Sequence, residues 1–314
     1  MSGREHFMSF LLLGGGFVAL LLGGESFVRG AVAIARRLGL PPLVIGLTLV
    51  GFGTSLPELL TSLQAARAGS PGIAVGNVVG SNTANVLLIL GAAALMSPIL
   101  VERRTFRRDG AILVAASLAA LAVVLGGEIG RTVGAVFVVA LVVYVAVALM
   151  AGRREGAGDD GSDVPDMALP VALAYAAGGL VLVLVGARWL VSGAVDLASA
   201  LGVSEAVIGV TVVAVGTSLP ELVTSVVAAR KGESAVAFGN VVGSNIFNVL
   251  GILGITAIVA PLTVPAEIAG FDIWVMLGAT ALLVWAAVSG WRITRAEGAA
   301  MIALYAGYIG WIAL

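Results

Sequence analysis

Cysteine is absent from this 314-residue chain, which excludes disulfides, thiolate metal sites and a cysteine nucleophile. Histidine and lysine are almost as scarce, each occurring once, as His6 and Lys231. A softer metal would ask for nitrogen or sulfur ligands that the apolar part of the chain does not have. A serine nucleophile at Ser55 or Ser218 would lack a base nearby. Charge is sparse too: 11% of residues are charged and 60% are hydrophobic, with a mean hydropathy of +1.10. A water-soluble domain needs more polar surface than that. The net charge of −1 therefore says little about partners.

What fills the chain instead is a series of apolar runs of about 17 to 25 residues, each long enough to cross a hydrocarbon core about 30 Å thick as a helix. Ten spans are predicted, at 8–35, 42–67, 72–97, 110–127, 132–150, 168–199, 206–230, 235–260, 273–290 and 297–313. The 43 glycines favour close helix packing and local helix breaks over a lipid-facing barrel. The expected fold class is all-α membrane.

Laid on itself with a shift of 163 residues, taken as 221 − 58, the sequence repeats without a gap from about Gly23 to Gly127. VIGLTLVGFGTSLPELLTSLQAARAG from Val44 matches VIGVTVVAVGTSLPELVTSVVAARKG from Val207, and AVGNVVGSNTANVLLILG from Ala74 matches AFGNVVGSNIFNVLGILG from Ala237. Roughly two thirds of this core is identical, so the chain is an internal duplication. The first run has its counterpart in the sixth and reads as a retained helix. The halves are expected at 1–152 and 168–314, joined by a short polar cytoplasmic linker at 153–167 that holds Asp159, Asp160, Asp163 and Asp166. Its acidic residues lack the ordered spacing of a calcium loop.

Five spans per half is an odd number, so the second half enters the membrane from the opposite face, as an inverted-topology repeat. Loop charges point the same way. Arg36, Arg37, Arg103, Arg104, Arg107, Arg108, Arg153, Arg154, Arg230, Lys231, Arg292 and Arg295 fall in one set of connections, and only Arg4, Arg67 and Arg131 in the other. By the positive-inside rule the first set is cytoplasmic and both termini lie outside, in a cell or inner membrane.

Four carboxylates lie well inside predicted spans: Glu25, Glu58, Asp196 and Glu221. A charge at the bilayer centre costs at least about 2.5–3.5 kcal/mol, so each is a candidate for function. Glu25 with Arg29, at i and i+4 near a span end, reads as a structural ion pair or a snorkelling pair, and Arg188 with Asp196 similarly. Glu58 and Glu221 are repeat mates, each closing the motif GTSLPE. Pro57 and Pro220 remove a backbone donor, so the second and seventh helices should break near Gly53 and Gly216 and free carbonyls at membrane depth. The third and eighth spans, also expected to be broken, offer Asn77, Ser81 and Asn85, and Asn240, Ser244 and Asn248, each set spaced by four along one face.

Calcium takes six to eight oxygens at about 2.3–2.6 Å. Two bidentate carboxylates supply four, and freed carbonyls at Thr54 and Thr217 two more. Ser55, Ser81, Ser218, Ser244 and the carbonyls near Gly51 and Ala214 would make flanking sites suited to Na+. Magnesium dehydrates too reluctantly for such a cage. The competing reading, in which these polar groups only glue helices together, explains neither the repeated carboxylate nor the proline beside it.

With GTSLPE and GNVVGSN each present twice, the chain resembles the cation/calcium exchanger superfamily, and within it the prokaryotic sodium/calcium exchangers. The resemblance implies ten helices, alternating access and four cation sites between the second, third, seventh and eighth helices. It makes Glu58 and Glu221 the central ligands, Thr54, Ser55, Ser81, Thr217, Ser218 and Ser244 accessory ones, and places Asn85 and Asn248 beside the middle site. The potassium-dependent branch carries aspartate at the position of Asn248. Asparagine at both positions argues against potassium cotransport and leaves a fixed site charge of about −2. The expected activity is secondary antiport of Ca2+ for Na+, about three Na+ per Ca2+ and electrogenic, by alternating access, with the first and sixth spans as movers. A proton-coupled or other divalent-cation antiporter, and a passive cation channel, are the alternatives. The chain is expected to be no enzyme, with no cofactor beyond the transported ions, no nucleic-acid partner, the lipid bilayer as its surroundings and a monomeric state.

Overall fold

A chain that enters hydrocarbon must satisfy its backbone internally, and a helix does so within one segment. The computed structural model, which describes residues 3–155, 167–200 and 214–312, is helical apart from two short ribbons. Its helices in chain order are α1 (Gly3–Arg37), α2 (Pro42–Thr54), α3 (Leu56–Arg67), α4 (Pro71–Met96), α5 (Arg103–Leu125) and α6 (Arg131–Glu155). They continue as α7 (Leu169–Ala200), α8 (Ala214–Thr217), α9 (Leu219–Arg230), α10 (Ser234–Val259), α11 (Ile268–Gly290) and α12 (Arg295–Ile312).

Among the described residues, seven helices are long and apolar enough to cross a membrane, or eight crossings when α2 and α3 count as one bent span. The seventh predicted span, 206–230, is described only from Ala214 onward. The tenth, α12, opens on Arg295 and Glu297 and is not among these seven. The acidic linker lies outside the described residues over 156–166, while Arg153 and Arg154 still belong to the last turn of α6.

Burial sorts the helices by depth. In the apolar windows of α10 and α4, 89% and 78% of residues are buried, against 28% in α6 and α7, so α4 and α10 form the centre and α6 and α7 face outward. Val136, Val139, Val142 and Val143 on α6 are each more than half exposed. An apolar band of that extent matches lipid rather than water. The chain is a multi-pass membrane protein.

The ribbons show how repeat mates are oriented. Strand β1 (Ile99–Leu100) pairs antiparallel with β4 (Arg292–Ile293), and β2 (Glu128–Ile129) with β3 (Leu262–Thr263). Because β1 and β2 flank α5 while β3 and β4 flank α11, the start of α5 lies beside the end of α11 and these two repeat mates run antiparallel. The mates α1 and α7 do the same. A Cβ on Gly16 would fall 2.6 Å from the backbone nitrogen of Leu190, and one on Gly30 would fall 2.8 Å from the Ala172 carbonyl. Helices this close meet backbone to backbone, which only glycine permits.

The prolines act as expected but one step later. The bend between α2 and α3 is 43° and centres on Ser55, with Pro57 starting the new helix. Pro57 has no N–H for the Gly53 carbonyl, whereas Ser55 N–H still donates to Gly51 at 3.3 Å and Leu59 N–H to Ser55 at 3.1 Å. Ser218 occupies the same place before α9. The third and eighth spans differ from expectation: α4 and α10 run unbroken, each absorbing one π-helical stretch, at Asn85–Leu90 and Asn248–Leu253. Neither contains an interior proline, so nothing forces a break, and the π stretch re-aims the asparagine at its start.

Charges away from the centre are paired. Glu25 holds Arg29 at 2.7 Å, as expected, and also takes Lys231 at 3.0 Å, tying α1 to the turn between α9 and α10. Asp196 does not follow the same pattern: it lies eight residues beyond Arg188 on the continuous helix α7, about 12 Å along the axis. Asp109, just outside the predicted fourth span, is buried and held by both Arg108 Nε and Nη2 at 2.9 Å.

Candidate cation site

Two interrupted helices bring the GTSLPE motifs to the centre. Glu58 and Glu221 each sit in the first turn of the helix that follows the bend, α3 and α9, and both are buried. Each carboxylate is met by the serine of the opposite motif. Ser55 Oγ donates to Glu221 Oε1 at 2.8 Å, and Ser218 Oγ donates to Glu58 Oε1 at 3.1 Å. Ser55 precedes Glu58 by one turn, as Ser218 precedes Glu221, so this crossed pair places the two acids in one pocket across the line between the halves.

The backbones of α3 and α9 are fixed by amides from the central helices. Asn77 Nδ2 donates to the Glu58 carbonyl at 3.1 Å and to Ser62 Oγ at 2.9 Å, and Asn240 Nδ2 repeats this with Glu221 at 3.2 Å and Ser225 at 2.8 Å. By spacing, Asn77 and Asn240 share a face with Asn85 and Asn248, but not a role. Their NH2 groups anchor the backbone instead, and Asn240 Oδ1 accepts from Thr54 Oγ1 at 3.2 Å.

Thr54, Ser55, Ser218 and Ser244 are buried, as is Ser81 on α4. Thr54 Oγ1 donates to the Val50 carbonyl at 3.0 Å and Ser244 Oγ to the Gly51 carbonyl at 3.1 Å. A hydroxyl whose proton points away presents its lone pairs to a cation. Gly51 is buried at the contact of α2 with α10, and Thr217 is half-buried in α8. Ala214 opens α8, and the stretch before it, 201–213, lies outside the described residues.

Four oxygens stand out. Eight buried side-chain oxygens among the described residues have no hydrogen-bond partner; four are the hydroxyls of Thr105, Tyr144, Thr224 and Thr256, and the four that are not hydroxyls are Glu58 Oε2, Glu221 Oε2, Asn85 Oδ1 and Asn248 Oδ1. A buried acceptor without a donor costs about 1–3 kcal/mol, more when charged. Two carboxylate and two amide oxygens from the two halves are hard ligands of the kind that calcium selects. No group of three or more histidine, cysteine or acidic residues gathers anywhere among the described residues, so a cation here would rest on two acids and on neutral oxygens.

Two further residues, Asn82 and Asn245, escaped the sequence reading. Each is buried and hydrogen-bonded across the halves to Asn248 and Asn85 respectively. The signal was present as Asn-x-x-Asn at the same place in both repeats.

The family model described as sodium/calcium exchanger protein matches residues 8–150 and 171–314. The chain is 39% identical over 302 residues to the putative antiporter CaxA of Alkalimonas amylolytica, covering 93% of this chain and 95% of that one. It is 36% identical over 347 residues to the sodium/calcium exchanger MaX1 of Methanosarcina acetivorans, covering 96% and 97%. Among solved structures it is similar to the sodium-calcium exchanger NCX_Mj, with a TM-score of 0.87, 32% identity and coverage of 98% and 99%.

Proposed function

Given that this chain belongs to the sodium/calcium exchanger family, whose members are cation-exchanging antiporters rather than enzymes, we propose that it exchanges Ca2+ for Na+ across a cell or inner membrane at the pocket between Glu58 and Glu221. The observation that carries this reading is the set of four buried, unpartnered oxygens on Glu58, Asn85, Glu221 and Asn248. Ca2+ would take these four, with freed carbonyls at Thr54 and Thr217. Three Na+ would spread over the central oxygens and those of Ser55, Ser81, Ser218, Ser244, Gly51 and Ala214. Either load neutralises the paired acids, and neutralisation is what permits the site to pass between faces. The empty, doubly charged site stays where it is.

The antiparallel course of α5 against α11, and of α1 against α7, supports an inverted arrangement of two five-helix halves, 1–152 and 168–314; the reading of ten crossings with both termini outside rests on the sequence repeat and the loop charges. The backbone-tight α1–α7 pair is suited to sliding as one body over the buried centre.

Reconstitution tests the coupling. Proteoliposomes loaded with Na+ and diluted into Na+-free medium containing 45Ca2+ should accumulate Ca2+, and faster when the interior is held positive. Three Na+ leaving for one Ca2+ entering moves one net charge out per cycle, so an inside-positive potential accelerates uptake and an inside-negative one slows it. Uptake that ignores the Na+ gradient overturns the coupling; uptake driven by a pH gradient alone supports the proton-coupled alternative.

A further inference from the structure

We propose that Asn82 and Asn245 are positioning residues, each locking the site amide of the opposite half, Asn248 or Asn85, with its oxygen turned toward the cation. The proposal rests on the exchange reading above.

A closed network of four asparagines joins α4 to α10. Asn82 Nδ2 donates to the Asn245 backbone carbonyl at 3.2 Å, and Asn245 Nδ2 donates to the Asn82 carbonyl at 3.3 Å. A backbone carbonyl can only accept, so these two bonds settle which end of each amide is which. The remaining Oδ1 of Asn82 and of Asn245 can in turn only accept. Asn248 Nδ2 donates to Asn82 Oδ1 at 2.9 Å, and Asn85 Nδ2 donates to Asn245 Oδ1 at 2.9 Å. Turning Asn85 or Asn248 over would set oxygen against oxygen.

The consequence falls on the other end of those two amides. Their Oδ1 atoms point away from the network, where they are buried and accept nothing, in common with Glu58 Oε2 and Glu221 Oε2. An unlocked asparagine can equally present its NH2, which repels a cation. A carboxylate has no such wrong side. The four-asparagine network is thus what lets a neutral residue serve reliably as a ligand at positions 85 and 248, and it does so across the boundary between the halves.

A plain helix clamp would produce the same hydrogen bonds, and a mutant cycle in the full-length reconstituted protein separates the two. Asn82→Ala is expected to raise KM for Ca2+ about tenfold, the usual scale for losing an outer-shell partner of a metal ligand, with the maximal rate changed less than about twofold. In an Asn248→Asp background no amide remains to be locked and the second carboxylate oxygen faces Asn82 Oδ1, so adding Asn82→Ala should lower KM or leave it within about twofold. Asn245→Ala tested with and without Asn85→Asp provides the mirrored cycle. Equal shifts with and without the aspartate would overturn the proposal. So would loss of folded protein in both alanine variants, which assigns the network to clamping, or an inactive Asn248→Asp protein. Wild-type protein that takes up no Ca2+ under a Na+ gradient would instead sink the exchange reading itself.

Discussion

Replacing Glu58 or Glu221 by glutamine is expected to reduce Na+-driven Ca2+ uptake to the level of protein-free liposomes while the protein stays folded. Glutamine keeps the side-chain length and retains an oxygen to accept the hydroxyl of Ser218 or Ser55, which lie 3.1 and 2.8 Å from the native carboxylates. What disappears is one of two charges that balance a buried divalent ion. Removing one member of a buried charge pair costs about 3–5 kcal/mol, more than about 100-fold in binding. Because the two acids are repeat mates in equivalent surroundings, the losses should be alike. Thermal melting checks folding, and melting temperatures no lower than wild type are expected, since a neutral group is easier to bury than a charge. A variant retaining a tenth of wild-type uptake would remove that glutamate from the site.

A single methyl group that adds no charge should do almost as much harm. Gly243 on α10 packs against the backbone of Leu47 on α2, and an added Cβ would overlap the carbonyl group of that residue. Backbone cannot rotate out of the way as a flexible side chain can, so Gly243→Ala must push α2 off α10. The bond from Ser244 Oγ to the Gly51 carbonyl, now 3.1 Å, lies immediately beside this contact and stretches first. Overpacking of this kind costs about 1–3 kcal/mol, which corresponds to about a ten- to hundredfold loss of Ca2+ uptake if it falls on the site. Uptake kinetics and melting temperature measured together check it. Wild-type uptake by Gly243→Ala would mean that the spacing of α2 and α10 does not set the site.

Much of this was legible in the sequence because duplication marks what matters twice. Glu58 and Glu221 are the acids that recur inside the predicted spans, and each carries its own proline signal for a bend. Ser55, Ser81, Ser218 and Ser244 follow from the same two motifs. What could not be read was direction. Spacing places Asn77 and Asn85 on one face of α4, but it does not tell a side chain that anchors the Glu58 backbone from one that turns an oxygen to the pocket. Asn82 was passed over for a related reason: its partners, Asn245 and Asn248, are more than 160 residues away, and only the packing of α4 on α10 brings them together. The breaks expected in α4 and α10 are not found. A π-helical stretch keeps the helix continuous and leaves no composition signal as strong as proline. Lys231 likewise read as a loop cation until the fold laid α1 beside it, within 3.0 Å of Glu25.

The central claim is that one calcium ion is held jointly by both halves of the chain, and the most direct measurement is anomalous diffraction from crystals of the protein equilibrated with Ca2+. The account predicts a single strong peak between Glu58 and Glu221, at about 2.3–2.6 Å from their carboxylate oxygens and close to Asn85 Oδ1 and Asn248 Oδ1. Calcium density at any other place, or carboxylates turned apart with no ion between them, would contradict it.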